Sequence, residues 1–152
     1  MADIWNIWNS PFEISLRALL LLAHGDGNPK TVDMLVLLDT IAIYGNDFGI
    51  SDENLHGDID FALDEFDSRR ELMKTAIRDL VLRGLVTPIK DTGGFRYKIS
   101  LDGSVYCRRL SSDYAVEYRQ MAIAVKRLVE SQSEREIFAM INSEINIGSQ
   151  EE

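Results

Sequence analysis

Apolar residues recur at helical spacing through most of this chain, interrupted by one stretch of strand-like character between residues 85 and 100. Ser10-Pro11-Phe12-Glu13 predicts a helix start. Ser10 can accept from the Glu13 backbone N–H, Glu13 can reach back to Ser10, and Pro11 falls where a missing N–H costs nothing. Phe12, Leu16, Leu19, Leu20 and Ala23 then form one apolar stripe, and Gly25, Gly27 and Pro29 end the helix in a loop. Thr31 caps a second helix running to Tyr44, with Gly45 as its expected left-handed stop. Val32, Met34, Val36, Leu37 and Ile43 make that helix apolar on most sides, so it is either buried or shared with another subunit.

A second capping box, Ser68 to Glu71, predicts the start of a third helix. Leu72, Met73, Ala76, Ile77, Leu80 and Val81 face its core side, Arg70, Lys74 and Arg78 recur every four residues on another face, and Gly84 closes it. Residues 85–89 and 95–99 read as short strands joined by a glycine-containing turn at 90–94, with Pro88 suited to an edge strand. A short helix from Ser100, a longer one over roughly 113–130 and a last one capped by Ser133 and Glu136 complete the pattern, with fraying expected after Ile147. The order helix, helix, helix, hairpin predicts a mainly α (α+β) fold. It is read as a winged helix-turn-helix with a β-hairpin wing and a C-terminal helical extension. The expected division is a winged-helix domain over 1–112, carrying an acidic insertion at 46–67, and the extension over 113–152.

Charge sharpens this reading. The net charge of −9 hides a segregation: residues 1–68 hold 2 basic and 13 acidic side chains, residues 69–127 hold 13 and 6, and residues 128–152 hold 1 and 6. The 46–67 segment holds 8 acids and no Lys or Arg, yet Phe48, Ile50, Leu55, Ile59, Phe61, Leu63 and Phe66 interrupt it. That much apolar surface predicts an ordered loop, with a helical turn near Phe61–Glu65. Overall acidity opposes the approach of a free-standing protein to DNA. The basic third helix and wing nevertheless offer Arg69, Arg70, Lys74, Arg78, Lys90, Arg96 and Lys98 to a nucleic acid or to an acidic partner surface. A charged stripe is also what the solvated side of an ordinary amphipathic helix looks like.

The residues offer little chemistry. Cys107, the single cysteine, cannot form an intrachain disulfide and reads as an ordinary partly buried thiol. Lacking a secretory signal or an apolar run long enough for a membrane span, the chain is expected to be cytoplasmic. His24 ends the first helix, where the helix terminus favours its charged form. His56, Asp58 and Asp60 could ligate a hard metal, which leaves a metal-dependent enzyme as one reading; a solvated turn is the plainer one. No nucleophile motif or phosphate-binding glycine loop stands out, so neither enzymatic activity nor a cofactor is expected. Trp5 and Trp8 precede the first helix, where tryptophan acts either as a staple onto the first turn or as a binding anchor.

Several segments in order resemble one family. They are Ile7-Trp8-Asn9-Ser10-Pro11-Phe12-Glu13, Leu38-Asp39-Thr40-Ile41-Ala42-Ile43-Tyr44-Gly45, Asp47-Phe48-Gly49-Ile50-Ser51, Asn54-Leu55-His56-Gly57-Asp58, Ser68-Arg69-Arg70-Glu71-Leu72, Val81-Leu82-Arg83-Gly84-Leu85-Val86 and Gly94-Phe95-Arg96-Tyr97. Together they resemble the middle component of ABC three-component systems, the Lamassu-type bacterial anti-phage defence operons. The likeness runs from about Trp5 to Tyr118. It implies a non-catalytic accessory subunit whose partners are an SMC-like ABC ATPase and an effector subunit, often a nuclease. On that reading Trp5, Trp8, Phe12, Phe48, Leu55 and Phe61 form a protein interface, and the basic surface meets DNA or protein. A free-standing winged-helix transcriptional regulator, dimerising through its C-terminal helices, is the alternative.

Overall fold

A computed structural model describes residues 10–55 and 65–150. Its elements are α1 (Pro11–Ala23), α2 (Val32–Ile43), α3 (Phe66–Leu82), β1 (Val86–Asp91), β2 (Gly94–Ile99), α4 (Leu101–Arg108), α5 (Asp113–Leu128) and α6 (Glu134–Gln150). The fold is mainly helical with a small two-stranded antiparallel sheet, as the patterning predicts.

α1 is the central helix. Every residue from Ile14 to Leu22 is buried, because α2, α3, α4, α5 and β2 all pack against it. The expected single stripe is therefore a continuous belt. Phe12 does not belong to it: it stands 59% exposed at the start of the helix. α2 is buried from Leu35 through Ile43, so its all-round apolar character is satisfied within the chain. α5 and α6 add Tyr118, Ala122, Val125, Ile137 and Ile141 to the same core. Thr31 ties the start of α2 to α6: its Oγ1 accepts from the Met34 N–H at 3.0 Å and donates to Glu134 Oε2 at 3.0 Å.

The three capping boxes fare differently. Ser133 and Glu136 close both halves, at 3.2 and 3.1 Å. Ser10 Oγ accepts from the Glu13 N–H at 3.2 Å, but Glu13 Oε2 is buried without a hydrogen-bond partner among the described residues. Ser68 caps nothing. α3 begins at Phe66, with Glu65 in the cap position and no side-chain cap bond, so Ser68 and Glu71 lie inside the helix. Tertiary packing explains the shift: Phe66 meets Phe138 of α6 edge-on, ring centroids 6.0 Å apart, and this contact holds most of an extra turn that local signals do not encode.

Two glycines stop helices for different reasons. Gly84 has φ +76° and closes α3 with a Leu85 N–H to Leu80 carbonyl bond of 3.0 Å, the six-to-one bond of a left-handed cap. Gly45, expected to act the same way, is not left-handed; a Cβ there would lie 2.6 Å from Ser51 Oγ. Space, not conformation, requires glycine at 45. α6 continues to Gln150, beyond the expected fraying point.

In the hairpin, Asp91 pairs with Gly94, so the turn has two residues at its tip and Lys90 belongs to β1 rather than to a five-residue loop. β2 is flanked on its other edge by Lys30, whose N–H and carbonyl exchange bonds with Tyr97 at 2.9 and 2.8 Å. The backbone groups of Tyr97 thus point away from β1. Pro88, opposite Tyr97, occupies a non-hydrogen-bonded position where its missing N–H costs no ladder bond.

Candidate interaction surface

Seven cations of α3 and the hairpin were expected to share one surface, and the fold divides them. Arg69 and Arg70, in the first turns of α3, face α2. Arg70 makes a bidentate pair with Asp33, 2.7 Å from Nε and 3.2 Å from Nη2, and reaches Asp67 at 3.7 Å. The hydrogen bonds and charge of Asp33 raise the Arg70 pKa. Arg69 donates to the Tyr44 hydroxyl at 3.2 Å and lies 5.9 Å from that ring's centre.

Lys74 and Arg78, one and two turns further along, are exposed. They line a groove of about 420 Å³ between α3 and the hairpin, whose apolar floor includes Val81, Leu82, Phe95 and Tyr97. Strand alternation decides which hairpin cations join them. Lys90 is directly opposite Phe95, on the groove side, and its Nζ sits 6.0 Å from the Phe95 ring centre. Arg96 and Lys98 alternate with Phe95 and Tyr97 and so lie on the other face. Arg96 is paired there with Asp91 at 3.1 Å. The groove thus sets Lys74 and Arg78 over an apolar floor, with Lys90 at its edge beside Phe95.

The floor is unusually exposed. Leu82 is 78% and Phe95 54% accessible. Nothing in the basic-stripe reading of the sequence flagged these two residues. The available signal was Leu82 falling off the Met73/Ala76/Ile77/Leu80 core face of α3.

Between α1, α2 and α5 lies a buried charged cluster that sequence reading also missed. Arg17 of α1 and Asp39 of α2 form a bidentate pair, 2.9 and 3.1 Å, and the Tyr118 hydroxyl donates to Asp39 Oδ1 at 2.6 Å. Arg17 Nη1 also reaches the Tyr114 hydroxyl at 3.5 Å. Burial works most strongly to lower the Arg17 pKa, but the charge and hydrogen bonds of Asp39, with Tyr114 and Tyr118, together outweigh it and the net shift is upward. Burial pushes the Tyr114 phenol up to about 12 and Tyr118 well above its usual range. The cluster is a fixed ion pair held by neutral phenols, with no proton to exchange near neutral pH. Cys107 is similarly inert, its thiol pushed up to about 11 by burial. His24 corrects the expectation of a charged terminus: burial and the charge of Arg119 lower its pKa.

A family model described as "MC2: ABC-three component (ABC-3C) system Middle Component 2" matches residues 7–151. The chain belongs to this family. No curated protein and no solved structure matches it. A middle component of a multi-component system has partner proteins, which directs attention to surfaces.

The aromatic interface expected of this middle component is only partly visible. Phe12 stands out beside a second groove, about 500 Å³, between the start of α1, α3 and α4. Phe48 and Leu55 are half-buried and pack on the chain's own core, which leaves them little apolar surface for a partner. Trp5, Trp8 and Phe61 lie outside the described residues, as do His56, Asp58 and Asp60. The visible part of the acidic segment is ordered by its own polar groups. Asn54 accepts from the Asn46 N–H at 2.7 Å and donates to Asp47 at 2.6 Å. Among the described residues, no helix is long and apolar enough to cross a membrane.

Proposed function

We propose that this middle component is a non-catalytic winged-helix accessory subunit of a Lamassu-type anti-phage defence complex. It bridges an SMC-like ABC ATPase to an effector subunit, often a nuclease. One observation carries the winged-helix part: a single-residue strand at Lys30, placed between α1 and α2, pairs with β2 of a hairpin that follows α3. Helix, short strand, helix, helix, hairpin, with the short strand closing the sheet, is the arrangement a winged helix requires. Family membership supports the accessory role. The absence of a catalytic role rests on chemistry: the one cysteine is buried with a raised pKa, and the buried charged cluster is locked.

Contact with DNA is a secondary role that the exposed Arg96 and Lys98, on the hairpin face turned away from the groove, would serve. The test is purification of the tagged chain from a host carrying its own operon. Co-elution of a coiled-coil ATPase and an effector is expected. A homodimer without partners that binds one DNA sequence, weakening steeply with salt, would replace this reading with the transcriptional regulator.

A further inference from the structure

We infer that the α3–hairpin groove is a docking site for an acidic amphipathic helix of a partner subunit, rather than for DNA. The inference rests on the accessory-subunit reading and specifies which surface does the work.

The groove combines two properties that one occupant must satisfy together. Its α3 wall carries the exposed cations Lys74 and Arg78, one turn apart, and the exposed Lys90 stands at its edge beside Phe95. Its floor presents Leu82 and Phe95, two of the most exposed large apolar side chains among the described residues, with Val81, Pro88 and Tyr97 beside them. A phosphate backbone would satisfy the walls and leave the floor without an apolar partner. A plain hydrophobic segment would cover the floor and desolvate Lys74 and Arg78 without compensation. An amphipathic helix with apolar anchors one turn apart and flanking Asp or Glu satisfies both.

The dimensions fit. The α3 wall runs from Glu71 to Leu82, about 16 Å at the helical rise, enough for about three turns of a partner helix. Carboxylates also weigh against a nucleic acid. Glu71 lines one end of the groove, and Asp79 lies on the same helix, paired to Arg83 at 3.0 Å. Glu71 gives the docked helix a direction, since its end of the groove repels an acidic residue while the Lys74–Arg78 stretch attracts one.

The test places a photo-reactive p-benzoylphenylalanine at Phe95, and separately at Leu82, in the complex expressed from its complete operon. Cross-linked peptides are then mapped by mass spectrometry. The expected result is a single partner segment with apolar residues at i and i+4 or i+7 and at least two flanking carboxylates. Lys74→Glu with Arg78→Glu should cut the cross-linking yield about tenfold or more without changing the melting curve of the chain, and exchanging the partner's carboxylates for lysines should restore it. Cross-links to DNA, to a second copy of this chain, or to a segment without carboxylates would overturn the inference. So would the absence of cross-links in a complex that assembles, which leaves the accessory reading intact. Failure of the complex to assemble at all overturns both.

Discussion

Two arginine–aspartate pairs join helices to α2, and they are nearly identical in geometry. Arg17 and Asp39 bridge α1 to α2 at 2.9 and 3.1 Å; Arg70 and Asp33 bridge α3 to α2 at 2.7 and 3.2 Å. Their surroundings differ. The first pair's side chains are 1% and 7% exposed, the second pair's 42% and 35%. Bond length therefore says little about what either pair contributes. In the interior, desolvation makes each charge dependent on the other, so the pair is costly to break while contributing little over a well-packed apolar substitute. At the surface, water replaces either partner and the pair is worth little. The inner pair fixes how α1 and α2 meet. The outer pair adds a solvent-screened tie between α3 and α2.

The sharpest way to break this comparison is to remove one acid from each pair. Asp39→Ala should cost about 3–5 kcal/mol in urea unfolding, because it strands a buried guanidinium. Asp33→Ala should cost about 1 kcal/mol or less. Combining Asp39→Leu with Arg17→Met should recover most of the loss, since the apolar belt around α1 accepts both side chains. Equal costs for the two aspartates would show that burial does not separate them.

Next in size is the hydroxyl of Tyr118, the short bond that holds Asp39 from the α5 side. Tyr118→Phe should lower stability by about 1.5–3 kcal/mol, the usual range for a bond to a charged group. A double-mutant cycle with Asp39→Asn should show strong coupling, because both changes act on one carboxylate. The same change at an exposed tyrosine, Tyr106→Phe, should be silent within about 0.5 kcal/mol.

The contrast also marks how much of the molecule could be read from its sequence. The element order was legible because apolar periodicity and glycine stops are local. So was the Ser133–Glu136 cap, whose two bonds span three residues. The start of α3 was not, since it depends on Phe66 meeting Phe138 in a helix 72 residues further on. Arg17 and Asp39 were visible only as lone charges in apolar helices, and their pairing across 22 residues has no periodic signature. At the surface, the exposure of Lys74 and Arg78 followed from helix spacing. The separation of Arg96 and Lys98 from them did not, because it turns on a two-residue hairpin tip that reassigns Lys90 to β1 and sets the register. The apolar floor of the groove went unread because the position of Leu82 off the core face of α3 shows that it is exposed, but not that Phe95 of the hairpin lies across from it.

Surface charge gives a smaller effect on stability and a larger one on assembly. Lys74→Ala with Arg78→Ala should leave unfolding within about 0.5 kcal/mol of the parent, as both side chains are exposed. The same pair should weaken capture of the partner subunit in co-purification. An unfolding cost comparable to that of Asp39→Ala would place these cations inside the structural framework and erase the distinction between the two regions.

The smallest effect concerns the histidine that caps the end of α1. His24 follows the last residue of the helix and lies beside Arg119, and partial burial with that neighbouring charge lowers its pKa below 6.5. The folded state therefore binds fewer protons at this site than the unfolded chain does. Stability from the neutral imidazole is fully present above about pH 6.5 and is lost as the pH falls through the lowered folded value. His24→Gln should flatten this part of the stability curve between pH 7 and 5, measured by urea unfolding at each pH, while leaving stability at pH 8 nearly unchanged. Arg119→Gln should move the folded pKa of His24 back toward 6.5 in an NMR titration, because it removes the like charge while leaving the burial. Arg17, by contrast, keeps its charge at every accessible pH because Asp39 is beside it. Near the same central helix, burial disfavours the charged form of both groups, and the charge is held where a buried carboxylate stands beside it.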